Sequence, residues 1–103
     1  LDRIENLDPA LNAFIWQDPD LAMDAAIKAD QARDRGEKLG PLHGVPLAHK
    51  DMFYRHGRRS TSGSLIRSSF EGKKTATILS RFDAAGAIEL GTLAMVEFAM
   101  GPR

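Results

Sequence analysis

The chain has 103 residues, a formal net charge of zero and 43% hydrophobic residues, enough for one small domain with a core and too balanced for a disordered or charged tail. It has no cysteine, which excludes disulfides, thiolate metal sites and a cysteine nucleophile, and fits a cytoplasmic protein. No stretch approaches the roughly 18 apolar residues of a membrane span, so no membrane partner is expected.

Leu1, Ile4 and Leu7 share one side of a helical turn or two, which Asp8-Pro9 is expected to break. Leu11 to Trp16, short, apolar and aromatic, reads as a strand. Asp18 is a natural N-cap with Pro19 at the first helical position. Leu21, Ala22, Ala25, Ala26, Ala29 and Ala32 then recur at helical spacing to about Arg35, and Gly36 is the stop. Gly40 to Pro46 is a turn. Pro46 to Met52 reads as a strand whose weak alternation suggests burial on both faces. By parity Ala48 and Lys50 share one face, Leu47 and His49 the other. Residues 54–64 read as polar and flexible. Thr75 to Ala85 is a second amphipathic helix closed by Gly86, and Ala87 to Leu90 a short strand closed by Gly91. Thr92 to Met100 fits strand or helix equally. The order strand–helix–strand–helix–strand argues for an α/β fold. An apolar run breaks off at Gly101-Pro102-Arg103 without a polar tail, which does not look like a natural end.

Charge is uneven. Residues 1–49 carry nine acidic and five basic side chains, whereas residues 50–74 carry seven basic and two acidic ones. Three groups of residues are candidates for chemistry. Lys50 follows the rigid stretch Gly40-Pro41-Leu42-His43-Gly44-Val45-Pro46 and a short apolar run. A lysine that relays protons must spend part of its time neutral, which an apolar setting or a neighbouring cation favours. The alternative is a strand-end lysine that snorkels to water. The cluster Ser60-Thr61-Ser62-Gly63-Ser64, preceded by Arg55, Arg58 and Arg59, has the parts of an anion cradle. It matches neither a P-loop nor a nucleophile elbow, so a surface loop is the plainer reading. His43, His49 and His56 lack any metal-motif spacing, and no dinucleotide fingerprint occurs, so no cofactor is expected.

The block Gly40-Pro41-Leu42-His43-Gly44-Val45-Pro46-Leu47-Ala48-His49-Lys50-Asp51 resembles the lysine-bearing block of the amidase signature family. Thr61 to Ser64 sits where that family has a short Thr/Ser/Gly loop. Thr75 to Leu90, with Ala84-Ala85-Gly86-Ala87, is similar to its helix–Ala-Gly-Ala–strand unit, and Leu90 to Gly101 is similar to its Gly-Lys-Thr-Asn-Met-x-Glu-Phe-Ala-Met-Gly block. The resemblance covers about residues 20–103. Thr92, Ala94 and Val96 depart from the family's polar residues there, particularly as a transfer-RNA amidotransferase would carry them, and His49 replaces its common small or apolar neighbour of the lysine.

The resemblance implies a partial mixed sheet with flanking helices, in a hydrolase or amidotransferase subunit that acts on carboxamides through a Ser–cis-Ser–Lys triad. Lys50 matches the lysine. The Gly/Ser-rich signature that supplies both serines lies further along in the family, so residues 1–103 read as the N-terminal portion of an amidase domain, inactive alone. Ser60, Ser62 and Ser64 do not stand in for the missing serines. A small-molecule amide is the implied substrate, and self-association through open sheet edges is expected. The rival reading is a non-catalytic anion- or RNA-binding module built on Arg55, Arg58, Arg59 and the Ser60–Ser64 loop, and a third is a structural α/β domain with no site.

Overall fold

The computed structural model describes residues 1–101, and Pro102 and Arg103, where the apolar run breaks off, lie outside them. The elements are α1 (Asp2–Leu11), β1 (Phe14–Gln17), α2 (Pro19–Asp34), β2 (Pro46–Lys50), a 3-10 turn (Leu65–Arg67), α3 (Thr77–Ala84), β3 (Ile88–Leu93) and a second 3-10 turn (Glu97–Ala99). They form the expected α/β arrangement around a three-stranded mixed sheet of order β1-β3-β2. β1 runs antiparallel and β2 parallel to the central β3. Among the described residues each outer strand has one edge without a paired strand.

The α2 start follows its capping signal: the Asp18 carboxylate accepts from the Leu21 N–H at 2.9 Å, with Pro19 just inside. The turn before β2 is seated on the end of α3. Leu42 N–H donates to the Ala85 carbonyl and Gly44 N–H to the Gly86 carbonyl, each at 2.9 Å. A Cβ on Gly40 would lie 2.4 Å from the Ala85 oxygen, so only glycine fits there.

Several boundaries differ from the sequence reading. Asp8-Pro9 does not break α1. Pro9 lies in the last turn, where its missing N–H costs only one helical bond. Termination comes at Asn12, whose backbone is left-handed, and the Asp8 side chain accepts from the Ala13 and Phe14 N–H groups beyond it. β1 therefore starts at Phe14 rather than Leu11. Gly91 does not close β3 but lies inside it, because a Cβ there would sit 2.3 Å from the Trp16 carbonyl oxygen of β1. Thr92 and Leu93 complete the strand, and residues 94–100 turn away into the second 3-10 segment.

Buried positions are more often polar than apolar: His49, Asp51, Ser60, Ser62, Ser64 and Thr92 against Ala22, Leu79 and Ile88. Buried polar groups need partners. The interior of this domain is accordingly organised by hydrogen bonds and ion pairs around the end of β2.

Candidate active site at the end of β2

Lys50 is the last residue of β2, paired with Leu93 of β3. Its side chain is exposed, as is Pro46 at the other end, so β2 is not buried on both faces among the described residues. The expected parity survives: His49, on the other face, is only 7% exposed. The Lys50 carbonyl accepts from the Phe53 N–H at 3.2 Å, and the Asp51 N–H reaches the Leu93 carbonyl at 3.2 Å, so the chain turns sharply there.

Asp51 is the hub of the hydroxyl-rich side. Only 2% exposed, it accepts at its carboxylate from the Thr61 N–H at 2.9 Å and from the Thr61 hydroxyl. Its carbonyl accepts from the Ser60 hydroxyl at 2.6 Å and the Ser62 N–H at 3.1 Å. The loop continues through left-handed Ser62 and Gly63 (φ 52° and 72°). A Cβ on Gly63 would fall 2.6 Å from the Met95 carbonyl oxygen, which explains the glycine. The Ser62 carbonyl accepts from the Phe98 N–H at 2.8 Å, and the Ser64 hydroxyl donates to Glu97. Residues 60–64 are thus not a flexible loop. They are largely buried and bonded to the end of β2 on one side and to the segment after β3 on the other. A cleft of about 830 Å³ opens beside them, lined by Asp51, Thr61, Ser64, Trp16, Arg58 and Met95 among others; Lys50 is not among its lining residues.

A second cluster, of charged side chains, gathers around Glu89. Glu89 of β3 accepts from Arg55 Nε at 2.7 Å and also contacts Arg58. Arg55 reaches on to Asp83 of α3 with two nitrogens, at 2.7 and 3.2 Å. Arg58 lies over the Trp16 ring, 3.8 Å from its centre. His49 places Nε2 3.1 Å from Glu89 Oε2 and Nδ1 3.2 Å from the Lys50 carbonyl oxygen. Burial lowers the His49 pKa, and the Arg55 and Arg58 guanidiniums lower it further.

These contacts occupy most of the parts of the anion cradle, while Arg59 is exposed and lines the cleft. Arg55 and Arg58 are engaged by carboxylates, and the N–H groups of residues 61–64 donate to Asp51 and Thr61. Of the other histidines, His43 Nε2 lies 2.8 Å from the Ala29 carbonyl and ties the turn to α2, while His56 is exposed. No group of three or more potential metal ligands occurs among the described residues, and none of their helices is long and apolar enough to cross a membrane. Sequence reasoning passed over Asp51 and Glu89. The signal for Glu89 was present: one carboxylate inside the apolar run Ala87–Leu90 needs a buried cation, and the basic stretch 50–74 supplies two.

The lysine-ended strand, the Ser/Thr loop bonded to its neighbour and the segment after β3 are the blocks that resemble the amidase signature class. The chain belongs to the Amidase family, whose model matches residues 1–103. It is 50% identical over 101 residues to a glutamyl-tRNA(Gln) amidotransferase subunit of Methylococcus capsulatus, a match that covers 98% of this chain and 21% of that protein. Among solved structures, the peptide amidase of Stenotrophomonas maltophilia superposes with a TM-score of 0.82 at 36% identity, over 94% of this chain and 20% of that one. A structure described as a vestigial protein complex bearing on the origins of an s-triazine catabolic enzyme gives a TM-score of 0.87 at 37% identity, over 94% and 21%. The chain therefore spans about a fifth of the length of these relatives. Its departures at Thr92, Ala94 and Val96 do not separate it from the amidotransferase branch, since a relative of that name reaches 50% identity.

Proposed function

We propose that residues 1–103 are the lysine-bearing N-terminal portion of an amidase that hydrolyses a carboxamide C–N bond through a Ser–cis-Ser–Lys triad, with Lys50 as the lysine. One observation carries the reading: Asp51, next in sequence to Lys50, binds the Ser60–Ser64 loop, and that loop binds the segment after β3. The blocks that resemble the family are thereby drawn together at the end of β2.

In the proposed reaction neutral Lys50 takes a proton from the bridging serine, which in turn deprotonates the nucleophilic serine as it attacks the carbonyl carbon. The same relay returns the proton to the departing amine or ammonia. Water then releases the acyl group, with backbone N–H groups of a Gly/Ser-rich loop holding the oxyanion. Both serines belong to sequence following Gly101, because Ser60 and Ser64 spend their hydroxyls on the Asp51 carbonyl and on Glu97. The exposed Lys50 also requires that later sequence to cover it and favour its neutral form. The substrate is a small-molecule carboxamide, in a cytoplasmic setting. Residues 1–103 alone have no amide turnover and self-associate through the free edges of β1 and β2 at high concentration, as light scattering would register.

The test is a comparison of two lengths. The longer chain that continues past residue 103 should turn over a panel of simple carboxamides, and Lys50→Ala should abolish this. Turnover by purified residues 1–103 that Lys50→Ala removes would contradict the shared-triad reading.

A further inference from the structure

His49 and Lys50 are adjacent but face opposite sides of β2, so the histidine cannot share the lysine's proton. It touches Lys50 only through the main chain. The Lys50 carbonyl and the Glu89 carboxylate both only accept, so a neutral His49 ring donates to one of them at a time, and donation to the Lys50 carbonyl at 3.2 Å needs the proton on Nδ1. The other ring nitrogen lies 3.1 Å from Glu89, Glu89 is held by Arg55 at 2.7 Å, and Arg55 is held by Asp83 at 2.7 Å. Phe53 packs against the same ring at 76°, and its N–H is the second donor to the Lys50 carbonyl. A continuous chain of polar contacts thus runs from α3 through β3 to the backbone of Lys50. His49 is a buried link and Glu89 a half-buried one, with side chains 6% and 13% exposed. Lys50 itself is exposed, so nothing on its own side chain's face fixes its direction among the described residues.

We propose that His49 is a positioning residue for Lys50, its Nδ1–H clamping the end of β2 through the Lys50 carbonyl so that the amine projects in one direction. The inference rests on the amidase reading above. A lysine side chain is long, and a small rotation at its backbone displaces the amine by about an ångström, enough to cost about a hundredfold in rate.

The test uses the complete chain and an aryl fluorophosphonate, which reacts covalently with an activated serine, together with hydrogen exchange at the Phe53 amide. Lys50→Ala should slow labelling by about a hundredfold or more. His49→Leu, which fills the space but donates nothing, should slow it by about tenfold and strip protection from the Phe53 amide. His49→Asn places an amide N–H where Nδ1 stood and should restore both readouts to near wild type. Wild-type labelling in His49→Leu, or a His49→Asn variant as slow as His49→Leu, would overturn the positioning role while leaving Lys50 in place. Wild-type labelling in Lys50→Ala, or no labelling of the wild type, would remove the amidase reading and this inference with it. If His49→Leu does not fold, His49→Phe decides: it keeps a ring against Phe53 but has no N–H, and should slow labelling several-fold. An unchanged rate there would overturn the proposal.

Discussion

The two polar clusters near the end of β2 are built differently. Around Glu89, charge meets charge across the fold: Arg55 lies 34 positions and His49 40 positions from it in sequence. Around Asp51, one carboxylate meets neutral hydroxyls and amides only about ten residues away. The first cluster ties strand to strand to helix, whereas the second shapes a loop. Arg55 and Arg58, which look from the sequence like parts of a ligand site, are therefore structural, and a Ser/Thr run that looks like loose surface is largely buried beside the cleft.

Breaking the charged cluster should have the largest effect. Glu89→Ala leaves Arg55 and Arg58, both largely covered, without their shared carboxylate, and should lower stability by about 3–5 kcal/mol in denaturant titration. A loss below about 1 kcal/mol, as for a surface ion pair, would erase the contrast between the clusters. Asp51→Ala should cost less, about 1–3 kcal/mol, because it strands one N–H and one hydroxyl of Thr61 rather than the Arg58 charge. Its effect should concentrate in the loop, seen as faster amide exchange at Thr61 to Ser64 with the sheet unchanged.

The smallest expected effect is a pH dependence. The His49 pKa is lowered from 6.5 by burial first, then by Arg55 and Arg58, while the Lys50 carbonyl and Asp51 pull the other way; Glu89 faces the same ring and Asp83 lies beyond Arg55. The unfolded chain then binds the proton more readily than the folded one. Stability from this group is full above about pH 6.5 and falls as the pH drops toward the folded value. Denaturant midpoints of the wild type should decline on that acid side, and His49→Leu should flatten the decline. A decline of equal slope in the variant would place its origin in other groups.

Local signals in the sequence were legible where one residue acts through its own backbone. Asp18 with Pro19 marked the start of α2, Gly36 and Gly86 marked two helix ends, and parity placed His49 and Lys50 on opposite faces. Long-range approach was not legible. Gly91 reads as a stop until the Trp16 carbonyl is seen beside it, and Pro9 reads as a breaker until the Asp8 and Asn12 contacts show where α1 ends. The lysine of the candidate site was picked out by its block, but Asp51 and Glu89, which organise its surroundings, are single carboxylates whose partners come from distant segments.

The central claim is that Lys50 acts by giving up and regaining a proton. The most direct measurement is amide turnover by the complete chain with Lys50→Ala and Lys50→Arg compared side by side. Arginine keeps the positive charge and the hydrogen-bond donors but does not deprotonate, so the account predicts that both variants lose turnover alike. Turnover retained in Lys50→Arg would show that charge alone suffices and would contradict the proton-relay role; turnover retained in Lys50→Ala would remove Lys50 from the reaction.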